Sequence, residues 1–364
     1  MNADQDWNRL AWWHWAAPLA GAALVGAKSF GLLAPGGGLF IAMAVVLLGG
    51  AVFAAVHHAE VLAVRIGEPF GSILLALAIT TIEVGLIVSM MLSGAPGSDQ
   101  VARDTVFSVV MIVLNGIVGL CLVAGAARHY EQEFRVQGAA GILSVIATLA
   151  IVALLLPNFT QTTRGPTLAD NQLLFVSIVS LALYALFVFV QTVRHREHFL
   201  IDDGAEFHGE MPSGRSTLVS AVLLVLSLVI VILLAKALSP TIAAVVAGAG
   251  MPAAVVGVII AMVVLLPEGV TAVKAARHNR LQTSLNASLG SVLASIGLTI
   301  PIVGVMSVVM GTPLTLGVAP ESMVILVLTL FVSTLTFATG RTTVLQGGVH
   351  LVLFGVFLLL SAVP

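Results

Sequence analysis

An all-α polytopic membrane protein is the fold class that this sequence predicts, and three observations carry it. Of 364 residues, 59% are hydrophobic and 9% are charged, against the ~25% charge usual for soluble domains. Apolar runs of about twenty residues, the length that crosses the hydrocarbon layer, recur along the whole chain. They are continuous, whereas the strands of an outer-membrane barrel would alternate apolar with polar. The same composition excludes other classes. Cys121 is the sole cysteine, so no disulfide scaffold exists, and a net charge of −2 gives no footprint for a nucleic-acid partner.

Hydropathy divides the chain into about eleven spans, near 11–33, 37–64, 68–93, 105–127, 137–157, 171–193, 217–238, 252–276, 283–310, 321–339 and 343–362. Pro301 predicts a kink or irregular end in the ninth. Trp7, Trp12, Trp13 and Trp15 cluster at the edge of the first, as an interfacial anchor does. Asp4 and Asp6 precede it in place of a basic region, and the apolar stretch is long, which argues against a cleaved signal peptide.

Residues 194–215 interrupt the pattern with Asp202, Asp203, Glu206, Glu210 and histidines. This cytoplasmic linker separates a first five-helix repeat (36–193) from a second (216–364), with residues 1–35 as an extra N-terminal helix. Five is odd, so corresponding helices enter from opposite sides, as in the inverted repeats of many secondary transporters. Eleven Lys and Arg fall on the N-terminal side and four (Lys28, Arg103, Arg164, Lys236) on the other. The positive-inside rule then places the N-terminus in the cytoplasm and Pro364 in the periplasm of a bacterial inner membrane.

Two acids lie deep inside spans. Glu83 sits in GEPFGSILLALAITTIEVGLIVSMM and Glu268 in PAAVVGVIIAMVVLLPEGVTAVKAARHN. A charge at a span centre costs about 2.5–3.5 kcal/mol and normally faces a cavity or a partner. Glu83 follows Gly67 by 16 residues, and Glu268 follows Pro252 by 16. These corresponding positions in oppositely directed spans let the two carboxylates meet near the membrane middle. Gly85, Pro267 and Gly269 weaken the helices there and predict broken ends whose backbone groups serve as ligands.

The span after each acid is polar. Ser108, Asn115 and Gly116 occur in the fourth, and Ser284, Ser288, Ser291, Ser295 and Thr299 in the ninth. Packing of small residues is their ordinary role, yet carboxylates with neutral oxygens also make a hard-cation site. Two close carboxylates cannot both stay ionised in a low dielectric without a cation. Cation or protons therefore occupy the site in competition, and with alternating access this gives cation/proton exchange. No cofactor is implied; the partners are the bilayer, the transported cations and protons, and a homo-oligomer stays open.

At these residues the chain becomes recognisable. The stretches 67–87, 115–134 and 265–301 resemble the bacterial ChaA-type calcium/proton (sodium, potassium/proton) antiporters, of the cation/proton-exchanger branch of the Ca²⁺/cation antiporter superfamily. The resemblance spans both repeat motifs (67–127 and 252–310) and the linker. It implies that Glu83 and Glu268 bind Ca²⁺, Na⁺ or K⁺ and exchange it for protons, and that Asn115 and Ser291 complete the site. Many members carry Gly-Asn-x-x-Glu; here Ile79-Thr80-Thr81-Ile82 precedes Glu83, so Thr80 and Thr81 stand in for the missing amide. Ser288 and Ser295 extend the ninth-span oxygens.

His58, Glu60 and Glu68 mark a cytoplasmic access route or proton relay, or else an ordinary polar interface. His195 and His198 with the linker acids suit a cation sensor, or simply a solvated loop. His14, His129, His278 and His350 are scattered singly, which argues against a di-iron enzyme. Neither H-E-x-x-H nor G-x-S-x-G occurs. A cation channel is the closer alternative.

Overall fold

The computed structural model describes residues 12–31, 37–67, 70–92, 97–195, 197, 199 and 211–364. Glu68, His198, Asp202, Asp203, Glu206 and Glu210 lie outside the described residues. Ten described helices are long and apolar enough to span a membrane, so the predicted class stands. The count differs by one from the expected eleven. Helix α1 (Trp12–Ser29) is not among the ten, because three indoles, His14 and Lys28 dilute its apolar content.

The remaining helices follow the expected spans closely: α2 (Gly38–Ile66), α3 (Phe70–Met91), α4 (Val101–Met111) running through a π-helical turn into α5 (Val118–His129), α6 (Val136–Ala150), α7 (Asp170–Phe189), α8 (Gly214–Gly248), α9 (Ala254–Arg277), α10 (Leu281–Met310), α11 (Pro320–Ala338) and α12 (Val344–Ala362). One boundary is corrected. Helix α8 continues ten residues past its expected end at 238, carrying Lys236 and Pro240 inside it. Its 35 residues reach ~52 Å at 1.5 Å per residue, beyond the hydrocarbon thickness.

The expected breaks are also corrected: no helix ends at Pro301, Pro267, Gly269 or Gly85, because α10, α9 and α3 continue through them. Tertiary packing holds these segments helical against their local preference. The irregular turns lie elsewhere, as π-helical turns at Ile112–Ile117, Ile151–Leu155 and Val190–Arg194. A π turn accommodates one extra residue and shifts the side chains after it around the helix.

Contacts divide the chain into two compact units. Unit 1 comprises Met1–Ser89 and Asp202–Val245, and unit 2 comprises Met90–Ile201 and Val246–Pro364. In unit 1, α1 packs along α2, and Gly21 lies against Ile230 of α8. Gly85 of α3 faces Ile232 of α8 so closely that any Cβ would collide with it. In unit 2 the rod Val101–His129 is the central element, 89% buried over its apolar window against 22% for α12. Helices α9, α10 and α12 pack against it, and α7 packs along α10. Two short strands, β1 (Gln132–Glu133) and β2 (Arg341–Thr342), pair antiparallel. Arg341 holds that pairing with an ion pair to Glu133 at 2.8 Å and a longer one to Glu131 at 3.8 Å.

Gly297 shows how tightly α10 meets α7. A Cβ there would stand 2.8 Å from the Cβ of Tyr184, a distance that backbone movement alone can relieve. Gly297→Leu is therefore expected to destabilise the protein by at least ~2 kcal/mol, read as a lowered unfolding temperature in detergent. An unchanged midpoint would contradict this packing.

Candidate ion-binding site

Glu268 lies fourteen residues after the start of α9 at Ala254 and is half-buried. The Ser291 hydroxyl of α10 donates to its Oε2 at 2.7 Å. One turn further on, Ser284 of α10 donates to the Ala272 carbonyl of α9 at 2.9 Å. Ser284, Ser288, Ser291, Ser295 and Thr299 recur at spacings of three and four, so they share one face of α10. All five are buried. Pro267, without an N–H, leaves the Val263 carbonyl lacking its usual helical partner. This side of the site therefore offers a carboxylate, a row of hydroxyls and a freed carbonyl, all hard oxygen donors. Among the described residues, no group of three or more His, Cys, Asp or Glu is placed to hold a metal. A cation here would need neutral oxygens to complete its shell.

Asn115 occupies the π-helical turn of the central rod and is fully buried. Its Nδ2 donates to Thr329 Oγ1 of α11 at 2.9 Å, and its Oδ1 faces His350 Nδ1 of α12 at 3.2 Å. An amide oxygen only accepts, so Nδ1 of His350 carries the proton. The opposite ring nitrogen, Nε2, then accepts from Thr336 Oγ1 of α11 at 3.1 Å. Both ends of the amide are thus engaged, and one lone pair of Oδ1 remains for another partner. Thr329 and Thr336 escaped the sequence analysis, which places His350 only among the scattered histidines and not beside Asn115. The available signal was weak: His350 is the lone ionisable group in the last span, and Thr329 and Thr336 stand two turns apart.

In unit 1, Glu83 is buried thirteen residues into α3. Thr80, three residues before it and on the same face, is buried too. Thr81 is exposed, and its hydroxyl donates to the Leu77 carbonyl of its own helix at 2.7 Å.

His58 is fully buried in α2. Its Nε2 donates to the His14 carbonyl at 3.2 Å, which leaves Nδ1 as acceptor for Ser220 of α8 at 3.2 Å. His14 stacks on His57 with ring centroids 3.6 Å apart. The expectation that His14 stands alone is therefore corrected: three histidines from two helices gather here, because α1 lies along α2. Glu60, half-buried on α2, is part of the same stretch of helix. Of the other histidines, His129 bonds the Arg277 carbonyl at 3.0 Å and His278 the Lys274 carbonyl at 2.7 Å.

Comparison with known proteins adds three kinds of match. The model of a family described as sodium/calcium exchanger protein matches residues 37–193 and 219–363. The y4hA protein of Sinorhizobium fredii (strain NBRC 101917 / NGR234), named as a candidate ionic transporter, is 53% identical over 353 residues, covering 97% of this chain and 96% of that protein. The sodium-potassium/proton antiporter ChaA of Escherichia coli (strain K12) is 34% identical over 247 residues, 66% of each chain. Among solved structures, native YfkE superposes with a TM-score of 0.74 at 18% identity, covering 96% of this chain and all of that one. The ChaA-type resemblance seen in the sequence is borne out.

Proposed function

Because the chain belongs to the sodium/calcium exchanger protein family, we propose that it is a secondary transporter that exchanges a cation for protons across the membrane. Ca²⁺, Na⁺ and K⁺ are the candidate substrates, and cytoplasmic cation leaves as protons enter. The observation that carries this reading is Glu268, a half-buried carboxylate in an apolar helix that accepts a 2.7 Å hydrogen bond from Ser291. A lone structural carboxylate at that depth would be costly; a carboxylate that takes a cation or a proton is neutralised in both working states. A family of transporters gives no support to the enzyme alternative.

In this mechanism Glu83 and Glu268, at corresponding places in oppositely threaded repeats, share one cation or the protons that replace it. Thr80, Ser288, Ser291 and Ser295 supply neutral oxygens. Thr81, committed to its own helix, contributes only if that bond opens. Asn115 braces the central rod and offers its remaining lone pair. His58, Glu60 and Glu68 form the proposed proton relay on the cytoplasmic side, where the N-terminus also lies. An empty, doubly ionised site is too costly to cross the membrane, so the two fluxes are coupled.

Proteoliposomes loaded with a pH-sensitive dye test this. A gradient of Ca²⁺, Na⁺ or K⁺, applied in turn, should drive protons the opposite way for at least one ion. Cation flux without proton movement would instead establish a channel. Ser291→Ala should lower exchange several-fold, since hydrogen bonds to charged groups contribute ~1.5–3 kcal/mol, and Ser291→Thr should restore most of it. Full activity in the alanine variant would remove Ser291 from the site.

A further inference from the structure

We propose that a groove on unit 2, formed by α5, α9 and α12, seats an anionic phospholipid, its acyl chain along the apolar walls and its phosphate on Arg128, Lys274 and Arg277. The groove has a volume of about 700 Å³. Leu120, Met262, Leu266, Val270 and Phe354 are among its apolar walls, and Gly116 and Gly269 also line it without side chains. Leu120, Leu266 and Val270 are about half-exposed, so the groove opens to the surroundings of the helix bundle. Arg128 stands in the last turn of α5, and Lys274 and Arg277 in the last turn of α9. The three cations thus gather at one end of an otherwise apolar trough, the charge arrangement that an anionic amphiphile complements.

Two bland explanations account for less. Cations at helix C-termini offset the terminal carbonyls, and basic residues collect on the cytoplasmic side. Both explain the charges and neither explains the apolar groove that leads away from them. The groove is also ill suited to a transported cation, because three positive charges repel it and hydrocarbon walls offer no ligands. No acidic residue lines the groove. Among the described residues, no ion pair engages Arg128, Lys274 or Arg277. All three are exposed, and His129 and His278, which contact this end, are bonded to backbone carbonyls. Three unneutralised cations beside an apolar slot leave a phosphate ester with a long hydrocarbon tail as the ligand that satisfies both parts. A free phosphate would use the cations alone. The inference does not depend on the exchange chemistry.

The full-length chain, purified in detergent, is titrated with phosphatidylglycerol or with phosphatidylcholine of the same acyl chains, and bound lipid is counted by native mass spectrometry. Each nearby cation adds about 1 kcal/mol of attraction to an anionic headgroup, so phosphatidylglycerol should bind roughly tenfold or more tightly than phosphatidylcholine. The triple variant Arg128→Gln, Lys274→Gln, Arg277→Gln should lose that preference and leave phosphatidylcholine binding unchanged. Val270→Trp, which fills the slot and keeps the charges, should weaken both lipids. Equal binding of the two lipids by the unmodified protein would overturn the proposal. So would a retained preference in the triple variant, or unchanged binding by Val270→Trp. Competition by glycerol 3-phosphate as effective as that by the whole lipid would also overturn it, since the site would then take a headgroup alone. Should the triple variant fail to fold, the unmodified protein and Val270→Trp still decide.

Discussion

Glu268→Gln is expected to abolish cation-driven proton movement in proteoliposomes while leaving the protein folded, and Glu83→Gln to do the same. The amide keeps the shape and a lone pair for Ser291, which donates to Glu268 at 2.7 Å. It removes the charge that holds a cation and the site that exchanges it for a proton. Losing that charge from a low-dielectric site removes several kcal/mol of attraction, and each 1.4 kcal/mol is tenfold in affinity. Exchange should therefore fall roughly a hundredfold or more. Unfolding temperatures should stay equal or rise, because a neutral group is cheaper to bury than a charged one. Normal exchange by either variant would remove that acid from the mechanism. Loss of exchange in only one of them would refute the shared site and leave a single-carboxylate carrier.

Asn115→Leu is expected to be among the most destabilising single changes available. It removes the donor to Thr329 Oγ1 and the acceptor of His350 Nδ1, at 2.9 and 3.2 Å in the buried centre of unit 2, and leaves the Thr329 hydroxyl only its long contact with Met111 Sδ at 3.7 Å. Leaving a buried polar group short of its partner costs about 1–3 kcal/mol, so the change should cost roughly 2 kcal/mol or more, read as a lowered unfolding midpoint in detergent. The double variant Asn115→Leu, His350→Leu should recover part of the loss, because removing both partners is far milder than removing one. A midpoint unchanged by Asn115→Leu would contradict the network. Transport by His350→Gln separates bracing from ion binding. If Asn115 acts through its fixed orientation, loosening His350 lowers exchange although His350 touches no ion.

Much of the molecule is legible along the chain. Ten of the spans follow from apolar length alone, because the bilayer requires helices of that length whatever surrounds them. The depth of Glu83 and Glu268 in α3 and α9 needs only counting from the helix starts. Local breaks are legible least. Proline and glycine pointed to 85, 267, 269 and 301, yet those helices run through, and a π turn forms instead around Asn115, where nothing in IVLNGI announces it. Helix propensity amounts to about 1 kcal/mol at a glycine and 3 at a proline, and packing on all sides overrides such sums.

The sequence by itself determined that the chain is a helical membrane protein, where its buried acids lie and which family pattern they follow, since hydropathy and charge act residue by residue. Only the tertiary structure decided what each polar side chain touches: Ser291 on Glu268, His350 and Thr329 on Asn115, Thr81 spent on its own helix. Inside an apolar bundle a hydroxyl or imidazole takes whichever partner the fold brings within about 3 Å, whether that is a carbonyl one turn back in its own helix, as for Thr81, or an amide 235 residues away, as for His350.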